Sequence, residues 1–144
     1  MFEHYTERAR RALFFARYEA SMLGSTSIEP THLLLGLLRS PNDATGELLL
    51  VAGTPDEIRG ELNGHIVTHP MITTSVEIPF SASAKRVLSA ASEESIRLSQ
   101  SWIGTEHLLL AILREDSLAH DILFGRGLRL ETARERVAKI DRAT

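Results

Sequence analysis

Two histidines stand at equivalent places in a segment that the chain contains twice. His32 opens HLLLGLL and His107 opens HLLLAIL, and seven of twelve positions match between Ile28–Arg39 and Ile103–Arg114. A histidine can act as a general base, but no nucleophile or acid partner stands at a suggestive spacing from either one. We therefore interpret both as core histidines that hydrogen-bond a neighbouring backbone group.

Metal and nucleotide chemistry find little support in the sequence. His65 and His69 have the spacing of two ligands on one helix face, but Pro70 should end the helix first, and no third ligand is indicated nearby. The chain also lacks a phosphate-binding loop, a dinucleotide-binding glycine motif and a nucleophile elbow. We therefore expect no metal, no cofactor and no catalytic residue. By elimination, we expect a domain that binds other molecules.

Composition limits the class of partner and the compartment. The 144 residues carry a formal net charge of −3, which disfavours nucleic acid because its binding depends on clustered lysine and arginine. No apolar run reaches the length of a membrane span, and the charged amino terminus is unlike a signal peptide. Cysteine is absent, which excludes disulfides and thiolate chemistry. We expect a cytoplasmic protein with no membrane partner.

The repeated segment belongs to a duplication that spans most of the chain. Thr6–Leu13 aligns with Ser81–Leu88 at the same offset that separates the two histidines, and further matches continue beyond both segments. The residues between the copies include two prolines and several β-branched residues, which favours an extended linker. We predict one domain over 1–144 whose copies superpose by a near-twofold rotation, with a first repeat, a linker and a second repeat at 6–66, 67–80 and 81–140.

Both copies have the periodicity of helices. Small and apolar residues recur at three- and four-residue steps after Thr6 and after Ser81, whose hydroxyls can accept from the free N–H groups of a helix start. The two histidine-containing helices are apolar nearly all round, so we expect them to be buried, the second one capped by Thr105. The sequence thus predicts an all-α fold of eight helices in two sets of four, with the shorter helices at 31–39, 44–52, 55–66, 105–114, 117–125 and 130–141.

These motifs resemble those of a known family. MFEHYTERARRAL, IGTEHLLLAILRE and the doubled layout over nearly the whole chain are similar to the amino-terminal repeat domain of Clp ATPases, most like the ClpC branch. The resemblance implies a pseudo-twofold, all-α domain that precedes the ATPase rings. It further implies a role in receiving adaptor proteins and substrates for the Clp unfolding and proteolysis machinery.

The ClpC resemblance also implies a pocket for phosphorylated arginine. Such a pocket needs anion donors for the phosphate and an acid for the guanidinium. In the second half Ser81, Lys85 and Glu106 would form this set, although Glu106 is equally a favourable partner for the positive end of its helix. The first half would hold a degenerate pocket of His4 and Thr6, in which Thr31 replaces the acid.

A second implied surface is apolar. Phe2 and Phe80 each precede the first long helix of their half, and the near-twofold could bring them together beside Leu13 and Lys85. The resemblance implies that this hydrophobic docking face also accepts cyclic peptide antibiotics. Core filling by either phenylalanine is the competing interpretation.

Two functional classes stay open at this point. One is the docking domain of a Clp-type unfoldase. The other is a free-standing paralogue that captures phosphoarginine or cyclic peptide ligands as a decoy or adaptor. A third class, a generic helical scaffold of unrelated function, is disfavoured by the family motifs.

Overall fold

The computed structural model describes residues 2–39 and 43–140. Within these residues the chain forms eight α-helices and no β-strand, which confirms the all-α prediction. The helices are α1 (Glu7–Met22), α2 (Pro30–Leu38), α3 (Ala44–Leu49), α4 (Pro55–His65), α5 (Ala82–Arg97), α6 (Thr105–Arg114), α7 (Leu118–Gly125) and α8 (Leu130–Ala138). None of the helices in the described ranges is both long enough and apolar enough to cross a membrane.

The two long helices begin as the sequence predicts. Thr6 Oγ1 accepts from the backbone N–H of Ala9 at 3.1 Å, and Ser81 Oγ accepts from that of Ala84 at 3.0 Å. Each hydroxyl thereby satisfies one of the backbone donors that a helix start leaves free.

The start of α6 differs from the prediction. Thr105 is not the cap: Gly104 is the N-cap residue, and its N–H donates to His107 Nδ1 at 2.9 Å. The hydroxyl of Thr105 instead donates to Asp43 Oδ2 at 3.1 Å and lies 2.8 Å from Thr45 Oγ1. The cap prediction was wrong because the side chain of Thr105 ties α6 to the start of α3.

Helices α2 and α6 lie at the centre, as their apolar composition requires. Leu34, Leu35, Leu109 and Leu110 have no exposed surface in the described structure. His32 is buried, and its Nδ1 accepts the Glu29 N–H at 2.8 Å, the same contact that His107 makes with Gly104. The interpretation of both residues as core histidines is confirmed by these contacts.

Each half contains one buried glutamate held by two arginines. Glu19 accepts from Arg39 Nε at 2.6 Å and from Arg59 Nη1 at 3.1 Å. Burial by itself raises the pKa of Glu19, but the hydrogen bonds and charges of Arg59 and Arg39 outweigh it and hold the pKa below its ordinary value.

The second half repeats this ion cluster at the equivalent positions of the repeat. Glu94 accepts from Arg134 Nε at 3.0 Å and from Arg114 Nη1 at 3.3 Å. Burial again raises the pKa of Glu94, and the two arginines again reverse the direction so that the pKa lies below its ordinary value. The duplication in sequence is therefore also a duplication of buried contacts.

The segments that lead into the helices pair between the halves. Thr6 N–H donates to Ile103 O at 2.9 Å, so the start of α1 meets the segment before α6. Ser81 N–H donates to Ile28 O at 3.0 Å, so the start of α5 meets the segment before α2. Two isolated β-bridges mark the same joints, Tyr5 with Ile103 and Ile28 with Phe80. The near-twofold rotation that would relate these joints stays a prediction.

The segment 67–80 contains no helix and packs along the end of α1. His69 N–H donates to Leu23 O at 3.0 Å, and Ile72 N–H donates to Ser21 O at 2.9 Å. Gly24 follows α1 with a φ of +69°, and a β-carbon placed there would lie 2.4 Å from Pro70 O. Glycine is required at this position by both the left-handed backbone and the close approach of the linker.

Candidate docking site

The three residues predicted to form a hydrophobic docking face lie together. Phe2, Phe80 and Leu13 line one open cavity of about 600 Å³ at the joint between the start of α5 and the segment before α2. The rings of Phe2 and Phe80 meet edge-on, with centroids 6.3 Å apart. Both phenylalanines are partly exposed, so neither simply fills the core.

The fold holds these aromatic rings in place. Phe2 also packs edge-on against the buried Tyr5 at a centroid distance of 5.0 Å, and Phe80 forms its β-bridge with Ile28. Phe14 lies one residue beyond Leu13 on α1, lines the same cavity and is 64% exposed. An apolar cavity with an exposed aromatic at its edge offers a partner a desolvated contact area.

Two arginines of α1 border this cavity, one hydrogen-bonded to the linker and the other without an ion pair among the described residues. Arg17 Nη2 donates to the carbonyl oxygens of Thr74 and Val76, both at 2.9 Å, and so fastens the linker to α1. Arg10 is exposed and makes no ion pair with any residue that the structure describes. Arg10 therefore places a positive charge beside the apolar wall, while the exposed Glu77 of the linker lines the same cavity with a negative one.

The second half has a related cavity of about 430 Å³. Six of its lining positions correspond through the internal repeat to those of the first cavity: Tyr5 to Phe80, Lys85 to Arg10, Leu88 to Leu13, Ser89 to Phe14, Ser92 to Arg17 and Ile103 to Ile28. Phe2 lines both cavities. The cation recurs as Lys85, whereas the exposed aromatic of the first cavity is replaced by a serine.

The predicted phosphoarginine residues are grouped differently from the prediction. Ser81 caps α5 at the joint with Ile28, while Glu106 lies three residues after Ile103 at the other joint. Lys85 is exposed and lines the second-half cavity, which neither Ser81 nor Glu106 lines. The prediction combined residues of two joints because it assumed that each half builds its own pocket.

Glu106 is also less accessible than a ligand pocket requires. Its side chain has no exposed surface, and its Oε2 accepts from Trp102 Nε1 at 3.2 Å. In this conformation the carboxylate cannot reach a guanidinium group in solvent. The sequence could not indicate this because the burial of Glu106 depends on tertiary packing.

The degenerate first-half pocket is also divided, because Thr31 lies apart from the other two residues. His4 and Thr6 meet the same residue: the Ile103 N–H donates to His4 O, and the Thr6 N–H donates to Ile103 O, both at 2.9 Å. Thr31 lies elsewhere, in the wall of a separate cavity at the start of α2. These three residues therefore do not line one common cavity.

Two residues of the docking cavity were not predicted from the sequence. Phe14 and Arg10 lie on α1 outside the apolar stripe that marks its buried face, and the argument from periodicity follows only that stripe. The signal that could have found Phe14 is a large aromatic on the polar face of an amphipathic helix.

The described residues contain no group of three or more histidine, cysteine, aspartate or glutamate side chains placed to hold a metal ion. His65 ends α4 and His69 lies in the extended linker beyond it.

Comparison with known proteins identifies the fold and its family. Residues 4–125 match the family described as Clp repeat (R) N-terminal domain. The chain belongs to this family. It is 32% identical over 142 residues to the negative regulator of genetic competence ClpC/MecB of Bacillus subtilis (strain 168), and the match covers 97% of this chain. It is 37% identical over 116 residues to the chloroplastic chaperone protein ClpC of Pisum sativum, covering 80% of this chain.

A solved Clp N-terminal domain has the same architecture. The N-terminal domain of the caseinolytic protease associated chaperone ClpD from Arabidopsis thaliana superposes with a TM-score of 0.72 at 31% identity, over 94% of this chain and 93% of that one. The chain spans only 17% of the length of the Bacillus relative and 12% of the Pisum relative. The match therefore concerns the N-terminal domain alone.

Proposed function

We propose that this Clp N-terminal domain is a non-catalytic docking module that receives adaptor or substrate proteins for a Clp-type unfoldase. The observation that carries the proposal is the cavity of Phe2, Phe80 and Leu13, which is apolar, open and edged by the exposed Phe14. Leu13 is buried and forms the floor of the cavity, whereas Phe2 and Phe80 are partly exposed and Phe14 is largely exposed, so together they form a contiguous apolar patch of the kind that marks interaction sites. We expect the partner segment to place apolar side chains in this cavity and an acidic group near Arg10, away from Glu77.

Binding of a disordered client tests this proposal. Fluorescein-labelled α-casein serves as the probe, and anisotropy reports its affinity for the domain. Phe80→Ala should weaken binding about tenfold, because a buried aromatic anchor at an interface typically contributes more than its neighbours. Phe124→Ala is the matched control, since Phe124 is 49% exposed on α7 and does not line the cavity. Equal affinities for both variants and the wild type would refute the docking role of the cavity.

The charge next to the cavity can be tested with the same probe. Arg10→Gln should weaken binding of phosphorylated α-casein and leave binding of the dephosphorylated form nearly unchanged, because the guanidinium group pairs with an anion. The same loss for both forms would assign Arg10 an apolar packing role instead.

Phosphoarginine recognition is the finer hypothesis. Lys85 supports it as an exposed cation that makes no ion pair with any described residue, while the complete burial of Glu106 counts against it. A phosphoarginine peptide that binds at least tenfold more tightly than its unmodified form, and loses this preference in Lys85→Gln, would support the hypothesis. Equal affinity for both peptides would reject it.

Cyclic peptide ligands and the free-standing alternative belong to the same proposal. A cyclic peptide antibiotic would compete with α-casein for the cavity of Phe2 and Phe80. The gene downstream separates the two classes, because an ATPase module in the same reading frame makes the domain part of an unfoldase, and its absence makes the domain a decoy or adaptor.

A further inference from the structure

A second cavity of about 680 Å³, with polar and apolar walls, lies at the start of α2. Its walls include Ser27, Thr31 and His32, together with the apolar side chains of Leu23, Ile66 and Leu118. Its volume falls within the range of small-molecule and side-chain binding sites. None of these residues lines the docking cavity of Phe2 and Phe80.

The second half fills the equivalent place with one of its own side chains. Trp102, Glu106 and His107 are the repeat equivalents of Ser27, Thr31 and His32. The indole of Trp102 lies 6.3 Å from the His107 ring between centroids, and its Nε1 donates to Glu106 Oε2 at 3.2 Å. In the first half a serine replaces the tryptophan, and the space beside the histidine is open.

His32 directs an unpaired hydrogen-bond donor into this space. Its Nδ1 accepts the Glu29 N–H, so the ring proton of the neutral imidazole is on Nε2. Burial lowers the pKa of His32, against the charges of Glu29 and Glu19, and favours this neutral form. Nε2 has no hydrogen-bond partner among the described residues. Every fully buried side-chain nitrogen or oxygen of these residues does have a partner, so Nε2 is not fully buried. Because His32 lines the cavity, Nε2 is open to it.

The second half shows which group this donor takes. Nε2 of His107 lies 2.5 Å from Oε1 of Gln100, an amide carbonyl oxygen. The first half has Ser25 at the position of Gln100, and its hydroxyl is already bonded to Ser27 O at 2.6 Å. An incoming amide carbonyl would therefore complete the hydrogen bond of His32.

Glu29 supplies a hydrogen-bond acceptor for the ligand. It lines the cavity and has no acidic counterpart in the second half, where Gly104 stands at that position. Its Oε2 accepts the Ser27 hydroxyl at 2.5 Å, so Oε1 is the oxygen that can accept from an indole N–H, as Glu106 does for Trp102. The negative charge also repels ligands with a free carboxylate. The cavity thus disfavours anionic ligands, and an amide-linked indole meets both polar requirements.

We propose that this cavity binds a tryptophan side chain of a partner polypeptide, with the backbone carbonyl of that tryptophan on His32 Nε2 and the indole N–H on Glu29. The proposal rests on the internal repeat and on the open donor of His32. It does not depend on the docking cavity, so the two can fail separately.

Titration with N-acetyl-L-tryptophanamide, followed by nitrogen-15 NMR, tests the proposal. We expect a dissociation constant of about 0.1–1 mM, as for a small ligand in a partly open site. The largest shifts should be those of Thr31 and of the His32 side-chain Nε2–H. N-acetyl-L-leucinamide should bind at least tenfold more weakly. Equal affinities for both amides, or shifts confined to Phe2 and Phe80, would overturn the proposal.

A variant that rebuilds the second half in the first provides the matched test. Ser27→Trp combined with Thr31→Glu should fill the cavity and reduce the affinity for N-acetyl-L-tryptophanamide at least tenfold. Ser101→Trp is the control, because it adds the same side chain at an exposed position. Wild-type affinity in the folded double variant would overturn the proposal. If the double variant does not fold, the shift of the wild-type His32 Nε2–H decides alone.

Discussion

The two halves of this domain share their buried contacts and differ in their open surfaces. Glu19 with its two arginines has an equivalent cluster around Glu94, and the capping histidine of α2 has one in α6. The cavities differ: the aromatic Phe14 corresponds to Ser89, and Ser27 corresponds to Trp102. The shared contacts therefore support the fold, whereas the differences define what each half can bind.

The halves also differ in how closely their helices approach. A β-carbon on Gly36 in α2 would lie 2.3 Å from Ala12 O of α1, whereas the equivalent residue of α6 is Ala111. The first pair of helices therefore packs at a distance that only glycine permits. The order of helices is nevertheless the same in both halves.

Removal of a buried glutamate should give the largest effect on stability. Glu94→Ala leaves Arg114 and Arg134 without their shared partner and should reduce the free energy of unfolding by about 3 kcal/mol. This is the low end for a broken buried ion pair, because both guanidinium groups keep contact with water. Glu19→Ala should cost nearly the same. Chemical denaturation measures both, with the exposed Glu93→Ala as control at less than about 0.5 kcal/mol. A large difference between Glu19→Ala and Glu94→Ala would contradict the equivalence of the two clusters.

The same contacts predict a stability that falls in acid. The pKa values of Glu19 and Glu94 are lowered in the folded state, so the stabilisation is complete above the unfolded pKa of about 4.3 and is lost as the pH falls through the folded values. The pKa of His32 is also lowered, so the unfolded state binds its proton first and stability begins to decline below about pH 6.5. Thermal melts from pH 8 to pH 3 measure both ranges. Stability that rises on acidification would oppose this account.

Substitutions at the left-handed residues after α1 and α5 should change the free energy of unfolding in opposite directions. Ser99 has a φ of +56° at the position equivalent to Gly24, and Ser99→Gly should raise the free energy of unfolding by about 1 kcal/mol by relieving a left-handed backbone. Gly24→Ser should lower it by about 2 kcal/mol or more, because a β-carbon there also meets the linker backbone at 2.4 Å. Denaturant titration compares the two variants. A change in the free energy of unfolding that is small for both variants would contradict this prediction, and would mean that the linker backbone moves away from residue 24 at little cost.

The helices could be predicted from the sequence, but the grouping of the site could not. Periodicity and the hydroxyls of Thr6 and Ser81 are local signals, and they gave eight helices close to those observed. The joint of Ser81 with Ile28 links opposite halves of the chain, so no local pattern could indicate it. The apolar face was predictable because Phe2 and Phe80 each precede the first long helix of their half, and their rings do meet. The burial of Glu106 follows from the packing of the whole core.

An exchange of one side chain between the halves tests whether the exposed aromatic of the first cavity determines partner binding. Phe14→Ser gives the first cavity the residue of the second, and Ser89→Phe gives the second cavity the residue of the first. Binding of labelled α-casein should weaken about tenfold in Phe14→Ser and should recover when Ser89→Phe is added, because the exposed aromatic is then restored beside Phe2. Unchanged affinity in both variants would contradict the claim that the difference between the two surfaces determines what the domain binds.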